Sequence, residues 1–211
     1  MIDNICERLA ANIQQTLLTV PEGFHDSFAY TTTGRNLCHP ITLWIVAKAV
    51  ESLNDIVKLV GIDVRLNKGG GVKFQPDVVG FKDDGETPIL CVDFESPNSS
   101  DARIVRKDVE AYLAWNDKTV PYVIITCLPN RQSPDWELRW TATSQYNSAH
   151  VGQREKIREN PFMYWSSFWR SELADKDLSM IRLFNIDGNQ ICEVRLSPSG
   201  VNRPLLASGE R

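Results

Sequence analysis

The hydrophobic pattern changes period several times along the chain, and each change predicts an element. Residues 2–18 (IDNICERLAANIQQTLL) place apolar side chains at 2, 5, 9, 13 and 17, a helical spacing with a mixed polar face. Pro21-Glu22-Gly23 closes that helix. Residues 25–38 are polar and Thr-rich and read as loop or a short strand. Pro40 suits a helix start, and residues 41–57 (ITLWIVAKAVESLNDIV) predict a well-buried helix. Residues 57–66 (VKLVGIDVRL) predict a first strand. Asn67-Lys68-Gly69-Gly70-Gly71 then reads as a hairpin tip, because Val72-Lys73-Phe74 resumes a strand. A phosphate loop would need GxxxxGK[ST] leading into a helix.

From Phe74 to Trp115 the pattern reads strand, turn, strand, helix. The turn is Lys82-Asp83-Asp84-Gly85-Glu86-Thr87-Pro88, with Asp-Gly at its centre. Ser99-Ser100-Asp101 supplies N-cap chemistry for the helix, whose apolar stripe is Ala102, Val105, Val109, Tyr112 and Leu113. On a helical wheel Arg103, Arg106 and Glu110 flank that stripe, with Lys107 further round. Residues 120–128 (VPYVIITCL) predict a strand buried on both faces, entered by a crossover from the helix. Residues 129–134 read as loop, 136–143 alternate weakly and 146–160 are polar. Residues 163–173 form an aromatic helix, and 183–196 a hairpin centred on Asp187-Gly188 before a loose tail.

Three acids interrupt the apolar pattern of the central stretch. Asp93 and Glu95 follow Ile89-Leu90-Cys91-Val92, and residues two apart on a strand share a face, roughly 6.5–7 Å apart. Asp77 and Asp93 lie eight residues either side of Gly85, so a loop of odd length centred there pairs them directly. A one-residue slip would turn Asp77 to the other face. Like charges placed opposite each other repel, and burial adds a desolvation cost. Such a patch calls for a cation or for a carboxyl that keeps its proton. Glu51, in the second helix, is either solvated at the rim or a further ligand.

Composition narrows the function. The chain has 211 residues, 42% hydrophobic and 24% charged, ordinary for one globular domain. No apolar run nears the ~18–20 residues of a membrane span. MIDNICERLA lacks a basic start followed by an apolar run, so the reading expects no signal peptide, no membrane partner and a cytoplasmic location. Five scattered cysteines read as buried free thiols, and three histidines show no zinc spacing. A net charge of −4 argues against a general electrostatic nucleic-acid binder but leaves local basic surfaces open. The absence of GxSxG and GxGxxG excludes the usual serine hydrolase and dinucleotide readings.

The order helix, strand, strand, strand, helix, strand, with Pro76-Asp77 on one strand and Asp93-Phe94-Glu95 on the next, resembles the PD-(D/E)xK nuclease superfamily over about residues 40–128. Glu95 stands where that superfamily usually has Lys; in some members the Lys has moved to the following helix, where Arg103, Arg106 and Lys107 lie. Asp93 to Asn98 also looks like the acid-x-x-Ser-Pro stretch of a large group of bacterial endonuclease-like proteins, in which a helix Lys completes the motif.

The resemblance implies an α/β fold with a restriction-endonuclease-like core, a mixed central sheet of about four to six strands flanked by helices. It implies one domain over residues 1–211, with the core at about 40–128 and a C-terminal extension at 129–211. The activity it implies is Mg²⁺- or Mn²⁺-dependent cleavage of DNA. Asp77, Asp93, Glu95 and, as the ligand alternative, Glu51 would bind metal; Asp77, Asp93, Glu95 and Lys107 would carry the chemistry. Arg103, Arg106, Arg154, Lys156 and Arg158 would contact DNA, although an ordinary solvated face accounts equally well for Arg103 and Arg106 and is the favoured account of Arg154, Lys156 and Arg158. A homodimer would bring two sites to two strands. The alternatives are a nuclease-like module that binds nucleic acid or protein without cutting, and a plain α/β protein whose acids lie on surface turns.

Overall fold

The structure, a computed structural model, describes residues 2–20, 38–68, 72–95, 104–115, 119–126, 161–187, 190–196 and 203–204. The first helix, α1, spans Ile2–Thr19 and buries Ile5, Cys6, Leu9, Ala10, Ile13 and Leu17, the stripe its spacing predicts. Asp3 sits in its first turn, where the helix dipole favours an acid. The second, α2, spans Cys38–Glu51 and so stops short of the predicted Val57. Its end is set locally: the Ser52 hydroxyl donates to the Lys48 carbonyl at 2.9 Å. The Ile56 and Val57 N–H groups both return to the Leu53 carbonyl, so a second tight turn still carries Leu53 and Val57 into the core. Asn12 of α1 donates to the Ala49 carbonyl and ties the two helices together.

The predicted first strand is split. β1 is Leu59–Ile62, and Asp63 then adopts a left-handed φ of 55°, which takes the chain out of the sheet. A separate antiparallel pair follows, β2 (Leu66–Lys68) and β3 (Val72–Phe74), with Leu66 opposite Phe74; this is the hairpin expected around the glycine run. The remaining strands are β4 (Val78–Phe81), β5 (Pro88–Glu95), β6 (Tyr122–Thr126), β7 (Ile181–Asp187), β8 (Gln190–Val194) and the two-residue β9 (Arg203–Pro204). Helix α3 is Ile104–Trp115 and α4 is Pro161–Glu172.

One mixed sheet runs in the order β1-β4-β5-β6-β7-β8, with β9 at its edge. β1, β4 and β5 are antiparallel in turn, whereas β5, β6 and β7 are parallel. The chain is thus α/β, and the C-terminal strands extend the same sheet rather than forming a second one. The last hairpin pairs Asp187 with Gln190, so its register centres one residue later than predicted.

The two faces bury different halves of each strand. Val78, Leu90, Val92, Phe94, Val123, Ile125 and Phe184 meet α1 and α2 on one face. Val79, Cys91, Tyr122, Ile124 and Leu183 meet α3, α4 and the β2–β3 hairpin on the other. Gly80 lies close under α2: a Cβ there would sit 2.9 Å from Val57 Cγ2 and 3.2 Å from Val50 Cγ1. Cys6 and Cys91 are buried free thiols. Among the described residues no helix is long and apolar enough to cross a membrane.

Candidate functional site

The register that brings the acids together comes from a bulge. Phe81 pairs with Pro88, which closes a loop of even length, but Gly80 pairs with Leu90. Ile89 is the extra residue on β5, and it restores the register centred on Gly85: Val79 faces Cys91 and Val78 faces Val92. Asp77 therefore comes opposite Asp93, as the spacing predicts, although the hairpin loop itself is not the odd one expected. Gly85 holds a left-handed φ of 70° in that turn. The Asp84 carboxylate accepts bonds from the Glu86 and Thr87 N–H groups and the Thr87 hydroxyl, which hold it near pKa 2.

Beyond Val78 and Val92, side chains continue the ladder. Asp93 Oδ1 accepts the Asp77 N–H at 2.7 Å, and Asp77 Oδ2 accepts the Phe94 N–H at 2.8 Å. Asp93 is only 8% exposed, and its Oδ2 accepts a short hydrogen bond from the Tyr122 hydroxyl. Tyr122 is fixed in turn by an edge contact with Phe74 at 5.2 Å and a stack on Tyr112 at 4.8 Å. The Tyr112 hydroxyl donates to the Val120 carbonyl at 2.7 Å. Phe74 also packs against Trp115 at 5.5 Å, so the hairpin, α3 and β6 share one aromatic floor beneath Asp93.

Glu95 lies on the same face as Asp93 and is half-buried. Its carboxyl hydrogen-bonds that of Asp108, which α3 projects toward the sheet. Asp108 is the acid that the sequence reading missed. It falls in the i, i+3, i+4, i+7 series Val105, Asp108, Val109, Tyr112, and an acid inside an apolar stripe was the available signal. Glu95 stands beside Thr126, and Thr126 beside Asn185, in the parallel register. Thr126 and Asn185 are buried and hydrogen-bonded to each other at 3.0 Å, so a polar row crosses the C-terminal ends of β5, β6 and β7.

Burial, then the neighbouring Asp77 and Asp108 charges, push the Asp93 carboxyl up to about 7; the Tyr122 hydroxyl and Asp77 N–H pull against that rise. Burial is also the largest cause for Glu95, reinforced by its bond to Asp108 and by three acidic neighbours; its carboxyl is raised well above the ordinary range. The two crowded carboxyls thus keep protons that surface acids lose.

The other predicted site residues lie elsewhere. Glu51 ends α2, across the sheet from these acids; it is exposed and paired with Lys48 at 2.6 Å, which is the rim alternative. Lys107 is exposed on α3, and Asp108 beside it takes the inward position, because a residue one place along a helix turns by about 100°. Arg106 is held away from the cluster by Glu110 at 2.9 Å and Glu172 at 3.0 Å, bridging α3 to α4. Arg103, Arg154, Lys156 and Arg158 lie outside the described residues. Asp93 is buried on β5 rather than placed on a surface turn, and Asp77 and Glu95 are half-buried.

Asp77, Asp93, Glu95 and Asp108 offer oxygen donors alone, the set that hard divalent cations take. As arranged, both Asp93 oxygens, Asp77 Oδ2 and the facing Glu95 and Asp108 carboxyls are engaged in hydrogen bonds, and among the described residues no group of three or more acids, histidines or thiols is placed to hold an ion. No family model matches the sequence, and no curated protein or solved structure matches it.

Proposed function

We propose that the chain is a restriction-endonuclease-like domain that hydrolyses DNA phosphodiesters with Mg²⁺ or Mn²⁺ held by its carboxylates. The observation that carries this reading is the gathering of Asp77, Asp93, Glu95 and Asp108 at one end of β4 and β5, crowded enough to retain protons. Structural acids seldom collect where they repel one another; a site awaiting positive charge has reason to. The element order supports it too: apart from the β2–β3 hairpin inserted after β1, α2, β1, β4, β5, α3 and β6 follow the resemblance, with Pro76-Asp77 just ahead of β4 rather than on the strand expected, and β5 and β6 parallel across α3.

Asp77 and Asp93 would hold the cation, with Glu95 as a further ligand or the group that orients the attacking water. A bound Mg²⁺ or Mn²⁺ supplies a more acidic water and neutralises charge on the phosphate. Tyr122 and the Asp77 N–H fix the Asp93 carboxyl in place before anything binds. The Glu95–Asp108 pair stores a proton whose loss prepares the site. Such an activity suits the cytoplasm, and two copies would serve two strands.

A second reading has its own observation. Helix α3 gives the cluster an acid, Asp108, and no described lysine or arginine beside it, which favours a nuclease-like module that binds without cutting. Supercoiled plasmid incubated with Mg²⁺ or Mn²⁺ decides between them, with Asp77→Ala and Asp93→Ala as controls. Cleavage that both substitutions abolish supports the enzyme. No cleavage of any DNA form by folded protein, with Mn²⁺ still raising the melting temperature, supports the binding module.

A further inference from the structure

We propose that the outer face of the β2–β3 hairpin, formed by Arg65, Asn67, Lys73 and Gln75, grips the phosphate backbone of a DNA duplex beside the carboxylate cluster. The choice of DNA rests on the nuclease reading; the grip itself rests on the hairpin.

The hairpin has two unlike faces. Leu66 and Phe74, directly opposite each other, are buried against α3 and the aromatic floor. Residues one step along a strand point the other way, so Asn67 and its partner Lys73 face outward, and both are exposed. The same register sets Arg65 opposite Gln75, and the Arg65 guanidinium meets the Gln75 side-chain carbonyl at 3.5 Å. The Gln75 amide donates to Asp63 at 2.8 Å, which closes the base of the ladder.

This face is basic, with Asp63 at its base. Residues 64–76 contain Arg65, Lys68 and Lys73 and no acid, in a chain of net charge −4. Arg8, Lys48, Arg106, Lys176, Arg182 and Arg195 each pair with a carboxylate. Arg65 and Lys73, like the exposed Lys58, Lys82 and Lys107 elsewhere, make no ion pair among the described residues. Two cations with two amide side chains between them match the acceptors of a phosphate backbone.

Position completes the argument. Lys73 is four residues from Asp77, at most about 14 Å of extended chain. That is about four base-pair steps of rise at roughly 3.4 Å each. Four carboxylates and a negative chain repel a polyanion, and unneutralised cations next to them offset that repulsion. The hairpin is anchored by Leu66 and Phe74, so its outer face is presented on a fixed element.

The test is fluorescence anisotropy of a labelled duplex of about 20 base pairs in chelator, titrated between about 50 and 200 mM salt. Each lost phosphate contact flattens the salt slope by about 0.9, so Arg65→Ala/Lys73→Ala should flatten it by about 2 and weaken binding about tenfold at the lower salt. The double variant should melt as the wild type does, both side chains being exposed. Wild-type protein that does not bind the duplex, or a double variant with unchanged slope and a Kd within about twofold, overturns the proposal. Binding in chelator reads the hairpin alone and plasmid cleavage with Mn²⁺ reads the carboxylates, so either idea can fail without the other.

Discussion

Replacing Asp93 with Asn should stabilise the metal-free protein, and only above a defined pH. Asn keeps the shape of Asp and one carbonyl oxygen for the Asp77 N–H, while its amide suits the Tyr122 oxygen. The folded-state carboxyl is raised to about 7, from an ordinary value of 3.8. A raised acid contributes its full stability below the unfolded value and loses it as pH rises through the folded one. At about 1.4 kcal/mol per pH unit, ionising Asp93 in the folded protein costs up to about 4 kcal/mol, and the loss develops between about pH 4 and 7. The Asn variant does not incur it. Urea unfolding in chelator at pH 4, 6 and 8 gives the difference between the two proteins at each pH. That difference should move in favour of Asp93→Asn by roughly 2–4 kcal/mol from pH 4 to pH 8. Subtraction cancels the titrating groups outside the cluster. A difference that stays flat, or that moves toward the wild type as pH rises, would refute the claim that Asp93 is a crowded, desolvated acid.

Tyr122→Phe removes the hydroxyl that holds Asp93 but keeps the ring stack on Tyr112, and should cost about 1.5–3 kcal/mol in urea unfolding at pH 8, where Asp93 is ionised. Its loss should shrink at pH 4, and an equal loss at both values would tie it to ring packing instead. Gly80→Ala sets a methyl 2.9 Å from Val57 and should cost about 1–3 kcal/mol, read as a lower urea midpoint at unchanged m. A neutral result would mean that α2 and the turn that carries Val57 yield easily at the sheet.

Much of the site is legible in local pattern, and the reason is the two-residue period of a strand. It puts Asp93 and Glu95 on one face whatever surrounds them. The symmetry of the turn around Gly85 likewise pointed Asp77 at Asp93, although the structure reaches that register through a bulge at Ile89. The helix was harder to read. Lys107 and Asp108 are neighbours in sequence, and choosing the inward one requires knowing which part of the stripe meets β5. The residues of the aromatic floor come from three elements, β3, α3 and β6, and have no local signature.

The sequence by itself determined the alternation of elements, the apolar faces of α1 and α3, the β5 acid pair and the hairpin around the glycine run. These depend on spacing within one element, where 3.6- and 2-residue periods leave little choice. Only the tertiary structure decided that Asp108 joins Glu95, that Glu51 lies across the sheet and that Tyr122 clasps Asp93. Those facts concern residues brought together by packing from distant parts of the chain, where burial sets the energies and a single step along a helix exchanges an acid for a lysine.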